Sequence, residues 1–171
     1  KTLAVLLAGA MIAGLATGCG NSGGTTTTTT AATTAAASGL GVDKVKIGVF
    51  EPITGANAGG GALEVEGVEL AHALRPEVLG VPVELVIADN KSDKVEAANA
   101  ASRLVESEGV AAIIGSWGSS LSIAAGDIVK AGETPAVGAS CTNSLVTLGN
   151  EYYFRVCFID PLQGAGAATY A

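Results

Sequence analysis

The sequence predicts an α/β domain built on a doubly wound parallel sheet. From Asp43 onward, apolar segments of strand length alternate with helical patterns of about a dozen residues, as in sheets whose parallel strands are joined by crossover helices. Residues 110–114 are continuously apolar, which is typical of a strand covered on both faces. The chain has 171 residues, 49% of them hydrophobic, and can therefore bury the core of one modest domain.

Hydrophobic spacing predicts the first strand and the first helix. Val45, Ile47 and Val49 alternate with polar or small residues, as expected for a strand. Residues 52–61 contain five glycines or prolines and predict a loop. Helical spacing then extends as far as Pro76, which cannot continue a helix. The residues that recur at this spacing are Leu63, Gly67, Leu70, Ala71 and Leu74.

The later elements follow the same alternation. The further predicted strands span 81–88, 110–114, 135–139 and 152–158, and the further helices span 94–108, 119–131 and a segment from Asp160 onward. Helix 94–108 is expected to turn inward Val95, Ala98, Leu104 and Val105. Ligands bind beyond the carboxyl ends of the strands in such sheets. The loops at that edge are 51–61, 89–93, 115–120, 139–143 and 158–163.

Charge and composition exclude several classes of function. Nine Lys and Arg against sixteen Asp and Glu give a net charge of −7, whereas a binder of nucleic-acid backbone needs a basic surface. The single histidine, His72, falls on the first predicted helix, where a solvated or half-buried residue is expected rather than a catalyst. No P-loop is present, and no dinucleotide fingerprint or nucleophile elbow joins a predicted strand to a predicted helix. We therefore predict neither an enzyme nor a cofactor.

Residues with metal-binding or redox chemistry are few. Asp89 and Asp93 have the chemistry for Mg²⁺, but their positions favour a strand end and a helix cap, so no metal site is predicted. The chain has three cysteines, too few for a disulfide scaffold or a four-ligand zinc site. Cys141 and Cys157 fall near the ends of neighbouring strands and could form a disulfide after export. Cys157 is equally consistent with a small buried apolar residue.

The N-terminal residues predict export and a lipid anchor. An apolar run over 3–15 follows Lys1 and has the length of a secretory signal rather than of a membrane span. The stretch ATGC at 16–19 resembles a bacterial lipobox, in which Cys19 would be lipidated. An ordinary cleaved signal with an incidental cysteine is the alternative. Residues 19–42 are rich in Thr, Ala and Gly and predict a flexible tether. We therefore expect the protein on the outer face of the bacterial cytoplasmic membrane or in the periplasm.

The loop 115–120 has the chemistry of an anion site. It follows the most apolar strand and opens a helix, whose N-terminus presents unpaired N–H groups and partial positive charge. Ser119 and Ser120 add hydroxyl donors beside those N–H groups, so a carboxylate or another small anion fits there. The alternative is a serine cap that touches no ligand. Trp117 in the same loop either packs on a ligand or covers the end of the sheet.

The loop 139–143 offers complementary groups at the same edge. Ser140 and Thr142 follow the next strand, and a backbone carbonyl together with the Thr142 hydroxyl can accept hydrogen bonds from an ammonium group. The alternative is ordinary turn chemistry, because Ser, Thr and Asn also satisfy their own backbone.

A series of short motifs between Val45 and the last residue makes this sequence similar to a known family. They are Ile47-Gly48-Val49, Pro52-Ile53-Thr54-Gly55 with Ala58 and Gly61, Gly67 with Leu70-Ala71, Asp89-Asn90-Lys91-Ser92-Asp93, Ala111-Ala112-Ile113-Ile114-Gly115 with Ser119, Ser140 with Thr142, and Tyr153-Phe154-Arg155-Val156-Cys157-Phe158-Ile159-Asp160-Pro161 with Gln163-Gly164. In this order and spacing the sequence resembles a substrate-binding protein of a branched-chain amino acid (Leu/Ile/Val-type) ABC transporter. That group has the type I periplasmic-binding fold.

The resemblance implies roles for individual residues. Ser119 would bind a ligand carboxylate through its hydroxyl and its N–H. Ser140 would use its backbone toward an amino acid, and Thr142 would contact both the carboxylate and the ammonium group. One position departs from the family, because an aromatic residue often stands where this chain has Gly60. Trp117 occupies a position that family members use against the ligand side chain, and it can compensate for the missing ring.

The resemblance also implies a protein of two lobes that is longer than this chain. Residues 43–158 would form lobe one, and residues 159–171 would form the hinge crossing near Asp160 and the truncated start of lobe two. The function expected on this basis is a lipid-anchored protein that captures a small amino acid or related carboxylate for an ABC permease. A ligand-sensing receptor module of the same fold is the alternative. A small α/β hydrolase or phosphotransfer domain is disfavoured, because no nucleophile–base pair or phosphate loop is found.

Overall fold

Residues 41–171 are described by the computed structural model, and they form a six-stranded sheet with helices on both faces. The strands, in chain order, are β1 (Val45–Glu51), β2 (Glu77–Val78), β3 (Val81–Asp89), β4 (Ala112–Gly115), β5 (Ala136–Gly138) and β6 (Tyr153–Arg155). The helices are α1 (Ala58–Leu74), α2 (Lys94–Ser102), α3 (Ser119–Ala131) and α4 (Asp160–Tyr170). The predicted α/β class and its alternation of strands and helices are confirmed.

The sheet is wound in both directions from its centre. Its strand order is β2-β3-β1-β4-β5-β6, and all neighbouring pairs from β3 to β6 are parallel. The chain passes from β1 to β3 on one side and then crosses to β4 on the other side of β1. The winding direction therefore reverses between β1 and β4. In parallel sheets, the crevice beyond such a reversal point is where ligands bind.

One face of the sheet carries the hydrophobic core. Phe50 of β1 and Ile113 of β4 point to this face and are almost completely buried. Helix α2 continues into a π-helical extension (Arg103–Glu108), which ends at Gly109 in the left-handed conformation. The helical residues that complete this core are Ala97, Ala100, Ala101, Leu104, Leu121, Ala125 and Val129. The small alanine side chains allow α2 to lie close to the strands.

The opposite face is only partly covered by α1. Ile47, Leu85 and Ile114 of the sheet line an apolar groove of about 270 Å³ together with residues of α1, including Val68. His72 also lines this groove, and its Nε2 lies 2.9 Å from the Val83 carbonyl oxygen, so the predicted half-buried helical histidine is confirmed. The prediction that the strand at 110–114 is covered on both faces holds only in part, because Ala112 and Ile114 on the α1 face are half-buried while Ile113 is fully buried.

Helix α1 begins earlier than the sequence predicts. Glycines at 59–61 predicted a loop, but the helix already starts at Ala58. The reason is tertiary packing, which overrides the low helix propensity of glycine. A Cβ atom at Gly61 would lie 2.2 Å from the Pro52 carbonyl oxygen, so only glycine allows this turn to lie against the end of β1.

Three smaller predictions are also corrected. Val95 does not face inward but is exposed, because the inward stripe of α2 begins at Ala97. The edge strand β2 was not predicted; it pairs antiparallel with β3 and has only two residues, too few for a periodic pattern. Strand β6 is shorter than the predicted 152–158, and Val156 beyond its end is exposed.

The predictions for the N-terminal part fall outside the described residues. These are the signal at 1–18, lipidation of Cys19, and all but the last two residues of the tether at 19–42. Within residues 41–171, no helix combines the length and the apolar character that crossing a bilayer would require.

Candidate functional site

The predicted ligand loops meet at the carboxyl edge of the sheet, around the reversal point between β1 and β4. The loop after β4 crosses toward β1, where the Trp117 N–H donates a hydrogen bond of 2.7 Å to the Glu51 carboxylate. On the other side, the N–H of Asn143 donates to the Ser119 hydroxyl oxygen over 3.0 Å. Loops 115–120 and 139–143 are therefore neighbours, and they bring together Trp117, Ser119, Ser120, Ser140 and Thr142.

The N-terminus of α3 presents unpaired donors at this edge. Gly118 precedes the helix with a φ of +94° and gives it no side-chain cap. The first backbone bonds of the helix are made by Leu121 and Ser122, both to the Gly118 carbonyl. Within residues 41–171, no acceptor contacts the N–H groups of Ser119 and Ser120. This turn supplies the unpaired N–H groups that an anion site requires, and anion binding itself stays a prediction.

The loop after β5 contributes further free polar groups. The Ser140 hydroxyl donates to a Glu64 carboxylate oxygen. The backbone carbonyl of Ser140 accepts no hydrogen bond within the described chain. The Thr142 carbonyl accepts a 3.1 Å hydrogen bond from the Asp160 N–H, while the Thr142 hydroxyl is unpaired among the described residues. Asp160 opens α4, so the predicted hinge residue is bonded directly to a predicted ligand loop.

Arg155 is a component that the sequence analysis missed. It lies at the end of β6, and its guanidinium donates to the carbonyl oxygens of Cys141 and Asn143, each over 2.8 Å. It also donates to the Ser144 carbonyl and to the Thr147 hydroxyl. One planar fork thus fixes the loop that carries Ser140 and Thr142. Arg155 appeared only within a family motif, and nothing in its local spacing indicates this role.

The Trp117 ring fills the space that an aromatic residue at position 60 would occupy. A Cβ atom added at Gly60 would lie 2.3 Å from Cε2 of Trp117. The ring therefore packs directly on the backbone of the first turn of α1, next to the crevice. This placement fits the sequence-based idea that Trp117 compensates for the missing aromatic side chain, and its contact with a ligand stays a prediction.

Gly60→Ala is expected to displace the Trp117 ring, because the new methyl group overlaps it. Trp117 is the only tryptophan of the chain, so its fluorescence emission reports the displacement directly. We expect a shift of the emission maximum to longer wavelength, with the ring more solvated. Gly67→Ala on the same helix is the matched control, since a Cβ there meets nothing within 4 Å. An unchanged spectrum in Gly60→Ala would contradict the packing.

The acidic loop 89–93 is used for structure. Asp89 accepts hydrogen bonds from the N–H groups of Ile53 and Thr54 and from the Thr54 hydroxyl. Burial alone would raise the pKa of Asp89, but these bonds outweigh it and hold the pKa below its ordinary value. Asp93 caps α2 by accepting from the N–H groups of Val95 and Glu96, as predicted. No group of metal-ligating side chains occurs within residues 41–171.

Two glutamates lie beneath the rim of the site, and sequence reasoning found neither. Glu51 ends β1 and is fully buried, and Glu64 of α1 is the acidic side chain that acts on its carboxyl group. Burial, opposed by the Trp117 hydrogen bond and reinforced by Glu64, raises the pKa of Glu51 to about 9. No motif marks these positions, because they meet only after α1 packs on β1.

The two cysteines predicted as a possible pair are free thiols in this structure, and their pairing after export stays a prediction. Cys141 is completely buried beside Tyr153 and Cys157 is partly buried. Burial raises the pKa of the Cys141 thiol to about 11, so it remains protonated at neutral pH.

The sequence pattern of the periplasmic binding protein family matches residues 44–171, which is most of the chain. The chain belongs to the periplasmic binding protein family. Its fold is that of lobe one of a type I periplasmic-binding protein, as the resemblance implied. The free donors at the start of α3 therefore lie at the edge of a lobe from a family of binding proteins.

Three relatives illustrate the similarity. The amino acid binding protein of Pseudomonas aeruginosa is 32% identical over 134 residues, which cover 74% of this chain and 35% of the relative. The crystal structure of the leucine-binding protein LivK from Thermotoga maritima is 47% identical with a TM-score of 0.72, over 74% of this chain and 36% of LivK. The branched-chain amino acid binding protein LivJ from Streptococcus pneumoniae, in complex with isoleucine, is 31% identical with a TM-score of 0.66, over 68% of this chain and 34% of LivJ. The chain thus spans about a third of the length of these relatives.

Proposed function

We propose that residues 43–158 form lobe one of an exported solute-binding protein that captures a small amino acid or related carboxylate for an ABC permease. The observation that carries this proposal is the set of unpaired donors at the start of α3, next to the free groups of loop 139–143. The relatives support this proposal, because two are named as amino acid binding and leucine-binding proteins and the third was solved in complex with isoleucine. The proposed role is binding without catalysis.

The ligand carboxylate is placed at the N-terminus of α3. In the proposed complex the N–H groups of Ser119 and Ser120 and the hydroxyls of Ser119 and Thr142 donate hydrogen bonds to this carboxylate, and the helix dipole favours its negative charge. The Ser140 carbonyl, free of other donors, accepts a hydrogen bond from the ammonium group. Trp117 borders the crevice on the side of α1, where the ligand side chain lies.

Closure of two lobes completes the mechanism. A ligand that contacts both lobes stabilises the closed form over the open one, so binding and closure are coupled. Asp160 stands at the crossing between the lobes, and its N–H bond to the Thr142 carbonyl links the crossing to the ligand loop. Residues 159–171 form the hinge crossing and the first residues of lobe two.

Calorimetry on the full-length protein tests this function. The panel contains L-leucine, L-isoleucine, L-valine, smaller and polar amino acids, short amides and simple carboxylates. We expect saturable binding of at least one amino acid or carboxylate, and weaker binding of every amide than of its parent acid. A full-length protein that binds no member of the panel would contradict the proposal.

We further propose that the protein is attached to the membrane through a lipid on Cys19. The support is the small-residue stretch before Cys19 and the Thr-rich segment after it. Cys19→Ser is expected to release the full-length protein from the membrane fraction into the soluble exported fraction. Immunoblots of fractionated cells measure this. Continued membrane retention of Cys19→Ser would rule out the anchor, and Cys157→Ser serves as the matched control.

A further inference from the structure

We propose that Glu51 and Glu64 share one proton, and that this protonated pair positions loops 115–120 and 139–143 for ligand binding. The part that concerns ligand binding rests on the function proposed above. The two residues act through the loops that they hold, so they are positioning residues and do not touch the ligand.

The contacts form a continuous chain across the site. The Trp117 N–H donates to Oε2 of Glu51 over 2.7 Å. Glu64 lies close enough to Glu51 to raise its pKa, and Oε1 of Glu64 accepts a hydrogen bond from the Ser140 hydroxyl. A proton between the two carboxyl groups would join these bonds into one line that connects the loop after β4, the end of β1, helix α1 and the loop after β5.

The two carboxyl groups need a proton to complete this chain. Oε1 of Glu51 and Oε2 of Glu64 are both buried, and neither has a donor within residues 41–171. Two ionised carboxylates in contact repel each other, and Glu51 has no exposed surface through which water could separate the charges. One proton between these two oxygens satisfies both groups and leaves a single negative charge on the pair.

No cation replaces that proton in the described part of the chain. The ion pairs found there involve other acidic residues, namely Glu84, Glu96, Glu108 and Glu151. The titratable group from β6 that faces Glu51 is Tyr153, whose hydroxyl donates to the Gly115 carbonyl over 2.7 Å. Burial raises the pKa of Tyr153 further above its ordinary value, so this group stays neutral. Cys141 beside it also stays protonated, because its pKa is raised to about 11.

Glu51 therefore titrates in a pH range in which Tyr153 and Cys141 stay protonated. An ordinary glutamate loses its proton near pH 4.5, whereas the folded chain retains the Glu51 proton up to about pH 9. Between these values the folded state binds a proton that the unfolded state has released, so stability decreases as the pH rises. Above about pH 9 the buried Glu51 carboxyl group is ionised, and its charge weakens the contacts that hold the Trp117 loop near α1.

The fluorescence of Trp117 tests the proposal without any ligand. In the full-length protein, with any tryptophan outside this chain replaced by phenylalanine, the emission of Trp117 is recorded from pH 5 to pH 10. We expect a transition near the pKa of the pair in the wild-type protein. In Glu51→Gln the side-chain amide N–H group donates where the shared proton would lie, and it does not titrate. This variant should therefore keep the low-pH emission spectrum of Trp117 from pH 5 to pH 10. Glu51→Ala should lack it at every pH, and the exposed Glu66→Gln should titrate like wild type.

Two results would overturn the proposal. One is a wild-type protein whose Trp117 emission shows no transition between pH 5 and pH 10, and the other is a transition that is the same in Glu51→Gln as in the wild type. If Glu51→Ala fails to fold, the comparison of the wild type with Glu51→Gln and Glu66→Gln still shows whether the transition depends on the Glu51 proton. The free energy of unfolding gives a second readout, because its decline between pH 5 and pH 9 should be shallower in Glu51→Gln than in Glu66→Gln. An equal decline in both variants counts against a proton shared at Glu51.

The affinity for L-leucine separates this inference from the proposed function. Where binding requires the protonated pair, the wild-type affinity falls about tenfold for each pH unit above the pKa of the pair, relative to Glu51→Gln. A constant ratio between the two proteins would overturn the positioning role. Failure of both proteins to bind L-leucine or any panel member at every pH would overturn the proposed function and with it the positioning role, while the emission transition would still decide the shared proton.

Discussion

Ser119→Ala and Thr142→Ala are each expected to weaken ligand binding to the full-length protein by about 1–3 kcal/mol, because each removes a hydroxyl donor to a charged carboxylate. Ser119→Ala also removes the acceptor of the Asn143 N–H, which lies 3.0 Å away. It therefore loosens the contact between the two ligand loops, and its effect should be at least as large as that of Thr142→Ala. Isothermal titration calorimetry measures both changes.

The control for these variants is Ser107→Ala. Ser107 is exposed on the extension of α2, at the opposite end of the sheet from the ligand loops. Its replacement should leave the affinity unchanged. If both Ser119→Ala and Thr142→Ala bind the ligand as tightly as Ser107→Ala, the assignment of the carboxylate to the start of α3 is wrong.

Arg155→Met is expected to lower the free energy of unfolding by about 1.5–3 kcal/mol and to weaken ligand binding, because it deprives several loop acceptors of a charged donor. The guanidinium reaches three carbonyl oxygens and one hydroxyl at once. Arg155→Lys keeps the charge but lacks the planar fork, so we expect an intermediate loss. Chemical denaturation measures stability, and calorimetry measures affinity.

Arg75→Met is the matched control for Arg155. Arg75 is exposed after α1, and its side chain makes no hydrogen bond or ion pair with any of residues 41–171. If Arg155→Met lowers the free energy of unfolding no more than Arg75→Met does, loop 139–143 holds its conformation without the guanidinium.

Local patterns predicted those parts of the fold that depend on local chemistry. The bounds of α3 match the predicted 119–131, and Asp93 caps α2 as its position before a helical pattern indicated. Both signals involve residues close in sequence, such as a capping side chain and the N–H groups one turn later. The strand-end rule for parallel sheets then located loops 115–120 and 139–143 on the same edge.

The remainder depends on contacts between residues far apart in sequence. The early start of α1 requires Gly61 to lie against Pro52, and the exposure of Val95 follows from the direction in which α2 meets the sheet. Arg155 and the Glu51–Glu64 contact likewise exist only because strands and helices from distant parts of the chain pack together. Periodicity and motifs carry no information on such contacts.

The central claim is that the unpaired N–H and hydroxyl groups at the start of α3 bind the carboxylate of a small ligand. The measurement that tests it most directly is calorimetry of the full-length protein with L-leucine and with L-leucinamide, which keeps the side chain and the ammonium group but lacks the negative charge. We predict that the amide binds at least tenfold more weakly, a difference of about 1.4 kcal/mol or more. Equal affinity for the two compounds would contradict the claim.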